Sequence, residues 1–173
     1  QPLILETDEA FNTFEKIKIS DLLVLNVDSD HLDYFKNLDN YKDAFYKVMK
    51  NVTDNLVINN DDLNIKSMKE LKNPVSYGKD IAADFKVQSP GTFIYENNKY
   101  EIKSDIIGDH FKANMLGAII LALLNGIEIK DSLNAIESFA GVKRRIELIG
   151  ISKGVLIYDD YGHHPTEMEA TIT

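Results

Sequence analysis

Two early stretches of the chain, Leu3–Glu6 ("LILE") and Asp21–Val27 ("DLLVLNV"), are continuous apolar runs of strand length. Runs without polar alternation suit parallel strands buried on both faces. The period then changes. Tyr41, Phe45, Val48, Met49 and Val52 fall at helical spacing between Asp39 and Val52, with Asp39 as N-cap. "NLVINNDD" is again a strand ending in a turn, so the order strand–helix–strand predicts a βαβ unit. From Pro74 to Ser104, "VSYG", "ADFKVQS", "GTFIYE" and "KYEIKS" alternate polar and apolar residues around the turns "SPG" and "ENNK". That pattern predicts antiparallel strands with one wet face. An apolar helix follows over Asp109–Asn125, stopped by Gly126, then a second over Asp131–Ala140, stopped by Gly141. "GVKRRIELIG" and "GVLIYDD" add two strands, and Pro165-Thr166-Glu167 opens a last helix.

The predicted fold is therefore α/β. A mainly parallel sheet flanked by helices, with a small antiparallel β subsheet, occupies residues 1–141, and residues 142–173 begin a second α/β domain. A length of 173 residues agrees with one domain and part of another. Hydrophobic residues at 44% and charged residues at 27% exclude a disordered chain. The net charge of −9 argues against nucleic acid or anionic membrane as bulk partners, while leaving room for a local basic site. The absence of cysteine excludes disulfides and thiolate metal sites, and with no signal-peptide pattern it points to the cytoplasm. The apolar run Met115–Leu124 is about half the ~20 residues a membrane crossing needs, so it predicts a buried helix and no membrane insertion. The chain opens at Gln1 almost directly in a strand and stops in "EMEATIT" just after a helix start, which suggests a piece of a larger protein.

Several stretches carry chemistry. Glu6 ends an apolar strand, at the edge where α/β folds bind ligands, and could hold Mg²⁺; the plain alternative is a solvated strand end. His31 follows the next strand among Asp28, Asp30 and Asp33, where it could ligate a metal or meet a phosphate, or simply sit in a helix-entry loop. "GDHFKAN" sets His110 and Asn114 on one face of a helix's first turn, where free N–H groups favour anions. Here the plain alternative is a turn capped by Asp109. Arg144 and Arg145 offer guanidinium forks suited to phosphate or carboxylate. "VLIYDDYGHHPTE" is the most specific stretch. Asp159 and Asp160 end a strand read as buried, Tyr161 offers a flat face, Gly162 permits close approach, and His163 and His164 stand in a strand-to-helix loop. Adjacent histidines seldom ligate zinc together without a third ligand.

Taken in order, "LETDEAFNTFEKI", "LLVLNVDSDHLDYF", "GDHFKANMLGAIILAL", "FAGVKRRIELIG" and "YDDYGHHPTEMEATI" resemble blocks of the Mur ligase family over nearly the whole chain. The resemblance is strongest to its branch that adds L-alanine to UDP-N-acetylmuramate. It implies ATP-driven amide formation in peptidoglycan synthesis: the muramate carboxylate becomes an acyl phosphate, which the amine of alanine attacks. It further implies Glu6 and His31 as Mg²⁺ ligands, His31, Arg145, His163 and His164 as catalytic residues, and His110, Asn114, Asp160 and Tyr161 beside the nucleotide.

Three departures accompany the resemblance. Phe111 stands where many relatives carry Asn, and Phe45 aligns with a lysine that other branches modify. The G-x-x-G-K-[ST] phosphate loop is absent, and in the family it lies ahead of the position of Gln1. The 173 residues alone are therefore expected not to turn over ATP. Competing readings are a non-catalytic nucleotide-binding fragment, a metal-dependent hydrolase built on the histidines, and a family member that recycles a muramoyl tripeptide.

Overall fold

Leu56, Val57 and Ile58 are buried in succession, and they face alternately into two separate apolar clusters. The strand that carries them is thus covered on both faces, as an uninterrupted apolar run requires. The computed structural model describes residues 3–7, 9–28, 32–68 and 71–172. A 3-10 helix, Ala10–Lys16, precedes β1 (Asp21–Val24), α1 (Leu32–Phe35), α2 (Leu38–Lys50), β2 (Asn55–Asn59) and α3 (Leu63–Lys66). Next come β3 (Val75–Gly78), β4 (Phe85–Ser89), β5 (Thr92–Tyr95), β6 (Asn98–Glu101), α4 (Asp109–Leu124) and α5 (Ile129–Glu137). The hairpin β7 (Glu147–Ser152) and β8 (Val155–Asp159) leads into α6 (Pro165–Ile172).

Strands β1 to β6 form one mixed sheet in sequence order, parallel from β1 to β4 and antiparallel from β4 to β6. On one face α2 packs Tyr41, Ala44, Val48 and Met49 against Val24, Leu56 and Ile58. On the other, α4 packs Met115, Leu116, Ile119 and Ile120 against Val57, Tyr77, Phe85 and Phe93. Helix α4 lies between the sheet and α5, which is why its sequence is apolar all round. The observed class is the mainly parallel α/β sheet with helices, accompanied by a small antiparallel two-stranded sheet.

Five sequence expectations need correction. Leu3–Glu6 forms no strand; Leu3 is 88% and Ile4 92% exposed. An apolar run becomes a strand only where a neighbour takes its backbone hydrogen bonds, and β1 stands at the edge of the sheet. "VSYG" is not antiparallel: β3 lies parallel to both β2 and β4. The link from β3 to β4 is unusually short for a parallel connection. Asp84 secures it by accepting from the Ser76 N–H (2.8 Å) and hydroxyl (2.9 Å), and Asp80 accepts from Ala82 N (3.0 Å) within the link. Asn37, not Asp39, caps α2 by accepting from Asn40 N (2.8 Å), and Gly108 rather than Asp109 occupies the N-cap of α4. Last, β8 is not buried: Val155 is 64% and Ile151 of its partner strand 67% exposed. A two-stranded hairpin buries apolar side chains only if another layer covers it.

Turn chemistry follows the sequence. Glu96-Asn97 and Lys153-Gly154 both hold two consecutive positive φ angles, as two-residue hairpin turns require.

Candidate functional site

The exit of β1 is gripped from α3. The Asp62 carboxylate accepts from Ile65 N (2.8 Å), capping α3, and from Val27 N (3.3 Å), while the Asn64 amide donates to Val27 O (2.6 Å). Val27 is fully buried, so its peptide groups need these partners. The grip fixes the loop that carries Asp28, and His164 Nδ1 approaches the Asp28 carboxylate at 4.0 Å. The adjacent histidines therefore diverge. His164 is half-buried and faces the β1 edge, while His163 is exposed, with Nδ1 3.3 Å from Tyr161 O and its ring edge-on to Tyr161.

The start of α4 supplies a second group. Gly108 holds φ +115° and ψ 131°, a conformation that releases the chain into the helix, and His110 sits half-buried one residue into it, packed on Phe111. Burial holds the His110 imidazole below the ordinary histidine pKa; the Arg145 charge adds to the depression, and Asp160 and Asp109 oppose it. One turn on, Asn114 lines an almost wholly apolar cavity of about 210 Å³ between α4, α5 and residues 141–145. Its walls are apolar, including Phe111, Met115, Ile136 and Phe139, and Asn114 and Arg145 are the polar side chains that line it. Among the described residues, neither the Asn114 amide nor the Arg145 guanidinium has a hydrogen-bond or ion-pair partner.

Arg145 comes to this cavity on an unusual backbone. Its neighbours Arg144 (φ 59°) and Ile146 (φ 49°) are both left-handed, which costs of order 1–3 kcal/mol for such residues and is least tolerated by a β-branched side chain. Asp160 accepts from Ile146 N (2.7 Å) and Gly162 N (2.7 Å), and Tyr161 N donates to Arg144 O (2.8 Å). The Arg144 guanidinium turns the other way, over the Tyr161 ring at 4.8 Å and 3.5 Å from the Asp159 carboxylate.

The structure thus gathers His110, Asn114, Arg145 and Asp160 near the start of α4, and separately sets His164 beside Asp28. Tyr161 packs under Arg144 and His163 stays outside, so neither enters the cavity. Glu6 is exposed on a segment off the sheet, and His31 lies outside the described residues. No group of three or more His, Asp or Glu is placed to hold a metal ion among the described residues.

Sequence reasoning missed two features. One is the Asp62–Asn64 grip, for which the N-cap spacing of Asp62 to Ile65 was the available signal. The other is a cavity of about 250 Å³ between the start of α4 and the ends of β2 and β3, whose lining includes Asp61, Tyr77, Lys79, His110 and Lys112. The Tyr77 hydroxyl there is fully buried with no hydrogen-bond partner among the described residues; burial, then Asp61, pushes its pKa up. No sequence signal marks it, because the meaning of Tyr77 depends on α4 packing over β3.

Known proteins place this geometry in a family. Residues 9–122, more than half of the chain, match the family model of the Mur ligase middle domain. The UDP-N-acetylmuramate–L-alanine ligase of Dictyoglomus turgidum is 36% identical over 98% of this chain, which covers 40% of that protein. The protein of the same name from Clostridium botulinum is 39% identical over 87% of this chain and 36% of its own length. Among solved structures, the UDP-N-acetylmuramate-alanine ligase of Thermotoga maritima aligns with a TM-score of 0.74 at 25% identity, over 92% of this chain and 39% of that one. This chain spans about 40% of the length of the curated relatives it matches. With the middle-domain match and the shared α/β sheet both in hand, the chain belongs to the Mur ligase family.

Proposed function

We propose that this chain supplies the nucleotide-facing part of an ATP-dependent ligase that joins L-alanine to UDP-N-acetylmuramate in the cytoplasm. The names and identities of its relatives support that activity for a protein of their length. The observation that carries the nucleotide reading is the almost wholly apolar cavity between α4 and α5, with Asn114 and Arg145, whose polar ends have no partner among the described residues, at its wall. Apolar pockets with a few placed polar groups suit a planar heterocycle. The Asn amide, donor and acceptor side by side, matches the edge of adenine. Arg145 suits the anionic end of the same ligand, as a fork that phosphate oxygens can engage bidentately. His110, held towards its neutral form by burial, can accept a hydrogen bond as well as donate one.

ATP, when bound, supplies the phosphoryl group that activates the muramate carboxylate. The residues of this chain orient and neutralise. Arg145 faces the phosphates, Asn114 holds the base, and His164 beside Asp28 faces the acceptor side of the sheet edge. Asp160 and Tyr161 are assigned to the nucleotide side, and His163 to the approach of the amino acid, by resemblance. Mg²⁺ at Glu6 and His31 also rests on resemblance; among the described residues no group of three or more His, Asp or Glu is gathered for it. We place the boundary between the two domains at residues 141/142, where the fold passes from α5 to the hairpin.

Calorimetric titration of the chain with ATP tests the reading. Asn114→Ala and Arg145→Ala are each expected to weaken binding by about tenfold, the scale of one lost charge-assisted or paired hydrogen bond. Asn114→Ala should also erase the preference for ATP over GTP. A chain that binds ATP no more tightly than pyrophosphate would sink the assignment of the base to this cavity.

A further inference from the structure

The geometry points to a role for Asp160 in addition to its place on the nucleotide side: we propose that its carboxylate clamps the left-handed turn Arg144–Ile146 and thereby presents Arg145 to the cavity. The backbone donors of this turn are all accounted for. Arg144 N donates to the Glu147 carboxylate (2.8 Å), Arg145 N to Val142 O (3.2 Å) and Ile146 N to Asp160 Oδ2 (2.7 Å). The other Asp160 oxygen is held by Gly162 N at 2.7 Å, and the Tyr161 N–H returns to Arg144 O at 2.8 Å. One carboxylate thus ties the far end of β8 to the residue that follows Arg145.

The bond matters because of the conformation it holds. Ile146 at φ 49° and Arg144 at φ 59° are both in a region that side chains with a Cβ avoid, and Ile146, being β-branched, avoids it most. Released, the turn would relax towards negative φ, and the direction of Arg145 between them would change with it. Val142 lies just ahead of the turn and can follow it when it moves. Asp160 directly follows β8, whose last residue pairs with Glu147, and its other oxygen is held by Gly162 N. Asp160 is therefore a positioning residue that acts through Arg145.

The nucleotide arm of the test rests on the function proposed above; the spectroscopic arm does not. In ¹H–¹⁵N spectra of the full chain, Asp160→Ala should move the amide protons of Ile146 and Gly162 upfield together, with the α4 resonances unchanged as a control for folding. Asp160→Asn keeps one carbonyl acceptor and should release only one of the two. If both resonances stay in place in Asp160→Ala, the clamp is overturned. In calorimetry with ATP, Arg145→Ala and Asp160→Ala should each lose about tenfold in affinity, and the double variant clearly less than the product of the two losses. Losses that multiply fully in the double variant would mean that Asp160 does not act through Arg145, and would overturn the positioning role. An unchanged affinity in Arg145→Ala sinks the nucleotide reading and not the clamp, which the amide resonances decide by themselves. Should Asp160→Ala fail to fold, Asp160→Asn carries both arms.

Discussion

Gly108 shows how one residue can set up a site. At φ +115° it occupies backbone space closed to other residues, and a Cβ there would lie 2.8 Å from His110 Cε1. Gly108→Ala is expected to cost about 1–3 kcal/mol, read from urea unfolding, and to swing the His110 ring, read as weaker ATP binding. His110 gives a second residue-scale outcome. Its folded pKa is depressed, chiefly by burial, so as pH falls the unfolded chain takes up this proton first. The stability linked to it is intact above the unfolded value of about 6.5, declines as pH drops below that, and is lost once pH passes the folded pKa. Urea midpoints measured at about pH 7 and about pH 5 should therefore differ less in His110→Gln than in the unmodified chain. His110 and Asn114 were legible in the sequence because helical spacing puts them on one face. The free state of Arg145 was not, since an arginine next to another arginine on a strand reads as surface charge until the backbone turn between them is seen.

At the scale of elements, the short α3 does more than its four residues suggest. Asp62 caps it and also reaches the fully buried Val27 N–H, so it couples α3 to the exit of β1. Asp62→Ala removes a cap, worth about 1 kcal/mol, and leaves a buried donor without a partner, worth about 1–3 kcal/mol more. A loss near 2–4 kcal/mol in chemical denaturation is expected. Substituting exposed Asp105, which makes no such bonds, should cost almost nothing by the same measurement. Helices α2 and α5 were legible from their apolar periods, and α4 from an apolar run too long for a strand. Strand β3 was misread as antiparallel because alternation tells which face of a strand is wet, and says nothing about the direction of its neighbours.

For the molecule as a whole, the six-stranded sheet and the hairpin–helix segment differ in how much each buries. Two apolar clusters line both faces of the sheet, whereas β7, β8 and α6 contribute no residue to the described core. Local opening should follow that difference. Native-state hydrogen exchange is expected to show amides of β2 and α4 protected by the global unfolding free energy, and those of β7 and β8 exchanging through much smaller openings. Equal protection in both segments would contradict this picture. The clamp at Asp160 gains importance in that setting, since it stabilises the turn carrying Arg145 within the less well-buried segment.

The sequence by itself determined the α/β class, the long helices, the hairpin turns and the family to which its motifs belong. Each of these follows from local spacing, from residue chemistry or from motifs read in order. Only the tertiary structure decided that Leu3–Glu6 is not a strand, that β3 runs parallel, that the two adjacent histidines part company, and that Asn114 and Arg145 share one cavity. These depend on which backbone lies alongside and which side chain is buried, and both are set by contacts between residues far apart in the chain.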